Sequence, residues 1–253
     1  MEKKYEILKD QSITLNGHTL YRIKPLKRIS NMFPGVLGGF IESEDNLSHE
    51  GDCWVTENAA VYGHSIVMEN AWVGGSARIH GHSIIRGNCL IAGSPLIISS
   101  EIKGNSEVTE EAIIQNSVLQ DRAVVKGDAN LDDVRVSGSS IIKDFATVTN
   151  TDIEGDACIS GKVCIKKGSD YTVIKNFWSS CRIITYTRPN RMWRTGCFLG
   201  TGEELIKKAY NDSKEKGEQF KLLVEYVEKA YALKEGKKKE SLLSRLLRFL
   251  KIV

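Results

Sequence analysis

The chain has 253 residues, 41% of them hydrophobic, and carries 35 Lys and Arg against 32 Asp and Glu, a net charge of +3. That near balance excludes a global electrostatic case for binding a nucleic-acid polymer, so any anion site must come from local clustering. No stretch, the opening MEKKYEILKDQ included, supplies the apolar run of a secretory signal or a spanning helix, and six cysteines without CxxC spacing fit a reduced, cytoplasmic protein.

Residues 1–50 come first in chain order. Within them 12–25 read as a hairpin, SITL and HTLYRIKPL around Asn16-Gly17, because Asn-Gly supplies the two positive-φ positions of a type I′ turn. A coil of stacked strands needs its open end covered, and this segment is the expected cap.

Residues 51–168 carry the strongest signal. From Val55 to Ile165 a Val, Ile or Leu returns every six residues, or five, at twenty of twenty positions. A small residue commonly stands two places before each (Ala59, Ser65, Ala71, Ser83, Cys89), and Gly, Asn, Asp or Glu two places after, where a sharp bend favours φ > 0. The β-branched bias and frequent Gly argue against a helix. The expected fold is therefore mainly β: a left-handed parallel β-helix of three short strands per coil with an aliphatic interior. Five-residue steps after Ile97, Ile114, Leu131 and Val148 predict coils of eighteen residues that become seventeen, with the same corner shortened each time.

Residues 169–235 lose the six-residue rhythm and are expected to form a small α+β domain. YTVIKNF, CRIITYTR and MWRTGCF read as strands. Thr201-Gly202-Glu203-Glu204 is a capping box opening a helix to about Tyr210, and a second helix is expected from about Glu218 to Leu233. Residues 236–253 (KKKESLLSRLLRFLKIV after Gly236) read as a basic amphipathic helix that docks on its own chain, self-associates, or meets a partner or an acidic membrane surface.

The stretch LGGFIESEDNLSHEGDCWVTENAAVYG (37–63) resembles the opening segment of phage-borne and bacterial hexapeptide-repeat proteins, including a YdcK-like group. MWRTGCFLGTGEEL resembles the C-terminal module that accompanies such repeats in phage proteins. The resemblance covers most of residues 12–233 and implies a left-handed β-helix, a homotrimer, and a bacterial host cell; no catalytic motif comes with it.

Two places hold candidate chemistry. His64 and His82 are eighteen residues apart, one coil, so they should stack at the same corner with His80 beside them. In a hexapeptide-type acyl-CoA-dependent acyltransferase a histidine near a subunit interface serves as general base, which makes His80, His82 and His64 the catalytic candidates of that alternative. The other reading is an exposed corner that accepts any polar side chain. Arg182, Arg188, Arg191 and Arg194, interleaved with Tyr186 and Trp193, offer guanidinium forks for phosphate and rings for a base. The plainer alternative is a hairpin with outward arginines whose Tyr186 and Trp193 are core.

No cofactor is expected. No metal is expected either, because no paired Cys or carboxylate stands at ligand spacing. One outer wall, with Trp72, Leu90, Glu107, Val124, Ile141 and Cys158, is more apolar than another with Ile66, Ile84, Glu101, Val118, Arg135 and Asp152. Trp72, Leu90, Val124 and Ile141 are accordingly the expected trimer contact. The leading expectation is a non-enzymatic trimeric binding protein that sequesters a small anionic ligand, such as a cyclic nucleotide immune signal, in defence evasion. The alternatives are the acyltransferase and an assembly scaffold.

Overall fold

The structure, a computed structural model, describes residues 3–29, 36–175 and 182–249, with side chains through 234. It divides into two units: Met1–Asn190 with Arg194–Cys197, and Arg191–Trp193 with Phe198–Val253.

The first unit is built on a parallel β-solenoid. Short strands stack rung over rung into three walls. The first wall is a seven-stranded sheet whose outward residues run Trp54, Trp72, Leu90, Glu107, Val124, Ile141, Cys158, in the register that the sequence spacing predicts. Their neighbours Val55, Val73, Ile91, Val108, Val125, Ile142 and Ile159 point inward and are fully buried. The other walls bury Val61 to Ile165 and Val67 to Ile153 in the same way. All twenty spaced aliphatic residues have 0% exposure, so the interior is one continuous stack of branched side chains.

The corner residues follow from backbone geometry. Gly75, at φ 66°, is a position where any Cβ would strike the Gly93 carbonyl of the next coil. At the shortened corner the left-handed residues are Ser99, Asn116, Asp133 and Asn150, small or amide-like side chains that tolerate this conformation. From Asn130–Val136 onward that corner is absorbed into one seven-residue strand, which joins the second and third walls into a single sheet.

The small inner residues do more than leave space. Ser65, Ser83, Ser100 and Ser117 form a buried ladder in which each hydroxyl oxygen accepts the backbone N–H of the next coil, from Ser83, Ser100, Ser117 and Val134 respectively. Buried backbone groups at a bend that lacks regular pairing are thereby satisfied.

The N-terminal hairpin is present. β1 (Tyr5–Leu15) and β2 (His18–Pro25) pair antiparallel, with Asn16 at φ 51° and Gly17 at φ 85° in the two-residue turn. β1 starts earlier than the alternation suggested, with a register shift between Leu8 and Ser12. β3 (Phe40–Ile41) joins β2 to the strand Ala60–Val61, so the hairpin continues the second wall. After the solenoid, Tyr171–Lys175 and Ile183–Thr187 form an antiparallel pair in the same unit.

In the second unit α1 (Gly202–Asp212) carries the expected capping box: Thr201 accepts from the Glu204 N–H while the Glu204 carboxylate accepts from the Thr201 N–H. α2 runs unbroken from Lys214 to Phe249, so the helix expected near 218–233 and the tail helix share one backbone. Gly236 does not end it, because glycine in a helix interior costs only about 1 kcal/mol. The two helices bury Leu205 and Ala209 of α1 and Val224 and Val227 of α2. The basic and apolar faces read for 236–253 lie outside the described side chains. Among the described residues no helix is long and apolar enough to cross a membrane.

Candidate functional site

The histidines fall on two surfaces of the first unit. His64 and His82 stack at one corner, ring centroids 4.8 Å apart and planes 14° apart, and both are exposed. His80 does not join them. It lies on the adjoining wall and stacks at 5.0 Å on Tyr62, which in turn meets His18 at 5.2 Å. Burial, and then the nearby His18, lower the His80 pKa below its ordinary value. A carboxylate is present, but Glu42 is taken by His18 Nδ1 at 2.8 Å and by the Gly63 N–H at 2.8 Å. The His18 hydrogen bond holds Glu42 below the usual carboxylate range. Among the described residues no orienting carboxylate is bonded to His64, His80 or His82.

The arginine hairpin divides. Tyr186 (3% exposed) and Trp193 (0%) are buried, so neither ring offers a face on which a ligand base can stack. The strand around Tyr186 is covered on both faces, with Ile184, Thr185 and Thr187 buried as well. Arg188 is committed to Asp170, whose carboxylate is buried and accepts from its Nη2 at 2.9 Å. Arg191 is exposed in the turn at φ 55°. Arg182 and Arg194 meet a different set of residues, from the solenoid wall.

Together they line a groove of about 700 Å³ within the first unit. Its floor is the outer face of the first wall at the C-terminal coils, with Ile141 and Cys158 at the centre, Lys126 and Lys143 at one corner, and Ser139 and Asp156 at the other. Its cover is Lys175, Arg182, Ile183, Arg194 and Gly196. The Cys158 N–H donates to Thr185 Oγ1 at 3.0 Å, which fixes the hairpin on the wall. Lys126 and Lys143 are seventeen residues apart and occupy adjacent rungs, the Lys126 N–H bonding the Ile142 carbonyl at 3.0 Å.

Five cations and one carboxylate line this groove. Among the described residues, Lys126, Lys175 and Arg182 have no acid within ion-pair distance, and the nearest acid to Lys143 is Asp144 at 3.8 Å. Arg194 lies beside the Cys158 thiol, and its Nε is buried with no partner among the described residues. Burial pushes the Cys158 thiol up, opposed by the charges of Arg194 and Lys143. Like charges on neighbouring rungs repel, and an unpartnered buried donor costs free energy. An anion at the Lys126–Lys143 corner would relieve the repulsion.

Sequence reasoning missed Lys126, Lys143, Lys175 and Asp156. The seventeen-residue spacing of the two wall lysines was the available signal. Trp72, Leu90, Val124 and Ile141 do share one outer ladder, with Leu90 42% exposed, but Glu107 interrupts it and Ile141 lies in the groove. Among the described residues no group of three or more His, Cys, Asp or Glu is placed to hold a metal ion.

No known family model matches the chain, and no curated protein is detectably similar to it.

Proposed function

We propose that this chain is a non-catalytic binding protein that holds a small phosphate-bearing ligand, of the cyclic-nucleotide type, in the groove between the solenoid wall and the Arg182–Arg194 hairpin. The observation that carries this reading is a cluster of five cations, most of them without an acidic partner among the described residues, around an apolar centre of Ile141, Ile183 and Cys158. Lysine and arginine together suit a phosphate, the former as point charges and the latter as forked donors. The apolar centre suits the body of a nucleoside.

In an infected bacterial cell, where the resemblance to phage-borne repeats would set it, tight binding lowers the free concentration of a nucleotide signal by mass action and needs no turnover. A trimer formed through Trp72, Leu90 and Val124 would present three such grooves. The basic tail, whose side chains lie outside the described residues, would meet a partner or an acidic surface.

Isothermal titration with cyclic nucleotides and with acetyl-CoA, followed by product analysis, tests the reading. Binding of intact nucleotide without products is the expected result. Acetyl transfer lost in His80→Ala or His82→Ala would replace it with the acyltransferase, and silence toward both ligands would leave the scaffold.

A further inference from the structure

The groove is asymmetric, and its asymmetry says what kind of base it takes. This inference rests on the binding reading above. Ser139 and Lys143 belong to one rung and lie four residues apart in sequence, which is about 13 Å along an extended chain. That is roughly the reach of a nucleotide from phosphate to the far edge of its base. Lys126 stacks beside Lys143 at one end. Asp156 follows Ser139 by seventeen residues, and the Ser139 N–H bonds the Gly155 carbonyl at 2.7 Å, so Ser139 and Asp156 stack at the other end.

Asp156 is the unexpected member. It is an exposed carboxylate lining a groove with five cations, and among the described residues it is paired with none of them. A carboxylate is an acceptor only, with two oxygens side by side. Its geometric complement is a pair of adjacent N–H donors. Of the common bases, guanine alone presents such a pair on its Watson–Crick edge, N1–H beside N2–H₂. Adenine and cytosine each set a donor next to an acceptor, and uracil has a single N–H flanked by two carbonyls.

We propose that the groove selects guanine nucleotides. The phosphate sits at the Lys126–Lys143 corner, the base lies between Ile141 and Ile183, and its Watson–Crick edge faces Asp156. Arg194 lines the same cavity. Ser139 offers a hydroxyl beside the carboxylate.

The test is isothermal titration of the full chain with cyclic GMP, cyclic IMP, cyclic AMP and inorganic phosphate. Cyclic GMP should bind about tenfold or more tightly than cyclic AMP, with cyclic IMP, which lacks the N2 amine, between them. Asp156→Asn, an exposed substitution that keeps the fold, should bring the cyclic GMP and cyclic AMP affinities together, chiefly by weakening cyclic GMP. Lys143→Ala should weaken all three nucleotides alike. Equal affinities for cyclic GMP and cyclic AMP, or a preference that survives Asp156→Asn, would overturn the guanine assignment and leave the binding protein standing. No heat with any nucleotide or with phosphate would overturn both.

Discussion

The N-terminal cap and the C-terminal groove of the solenoid unit use their polar side chains differently. At the N-terminal end Asn46, Lys4 and Tyr5 are consumed by the fold. Asn46, 1% exposed, accepts the Glu42 and Ser43 N–H groups and donates to the Gly63 and Ser65 carbonyls. Lys4, also 1% exposed, donates to the carbonyls of Cys53 at 2.8 Å and Gly51 at 3.3 Å. Tyr5 donates to the Leu47 carbonyl at 2.7 Å, and burial, reinforced by Glu44, raises its pKa well above the ordinary value. At the C-terminal coils, Lys126, Lys175, Arg182 and Asp156 make no such bonds among the described residues. One end is built for closure and the other leaves its charges for something else. The physical distinction is between polar groups that would cost stability if removed and polar groups whose removal costs little.

Mutations at the shared core, the cap and the groove should therefore separate by size and by what they change. Ile114→Ala, in the centre of the stack, should cost about 2–5 kcal/mol by leaving a cavity that neighbouring coils cannot fill, read from the denaturant midpoint. Tyr5→Phe should cost about 1–2 kcal/mol by the same measurement, because the Leu47 carbonyl is left without its buried donor. Lys126→Ala should leave stability within about 0.5 kcal/mol, or raise it slightly by removing repulsion from Lys143, while weakening phosphate binding severalfold in titration. A loss of stability in Lys126→Ala comparable to that in Tyr5→Phe would erase the contrast between the two ends.

The smallest effect is a pH dependence. His80 has its folded pKa lowered below the unfolded value of 6.5, chiefly by burial against Tyr62. As the pH falls through 6.5 the unfolded chain binds the proton first, so stability present above that value is lost toward the lower folded pKa. His80→Gln should flatten this part of the curve, seen by comparing denaturant midpoints at about pH 7.5 and about pH 5.5. An unchanged slope would mean that the stacked ring is not desolvated.

The solenoid was legible because its information is local and repeated. Each inward Val or Ile, each corner, and even the outward ladder from Trp72 to Cys158 is set by counting residues. The capping box at Thr201 and the Asn16-Gly17 turn were legible for the same reason. The groove was not, because it brings Lys126, Ile141, Lys143 and Cys158 of the wall together with Lys175, Arg182, Ile183 and Arg194, a contact that no short window contains. Burial of the strand Ile183–Thr187 on both faces was not visible either: Tyr186 and Trp193 are buried, so the rings suggested for stacking are core and the arginines split into one structural, one exposed and two in the groove. His80 illustrates the same limit. Its distance from His82 in sequence is two, yet a bend at Gly81 puts it on another wall, against Tyr62.

Rung-on-rung construction gives this architecture an unusual freedom. Because a coil touches only the coils above and below it, duplicating the seventeen residues Thr109–Val125 would insert one more layer and move the groove about 4.8 Å farther from the stacked pair His64 and His82, with neither environment altered. Spacing between the two surfaces is thus a quantity that gene duplication adjusts in whole steps, independently of the chemistry at either.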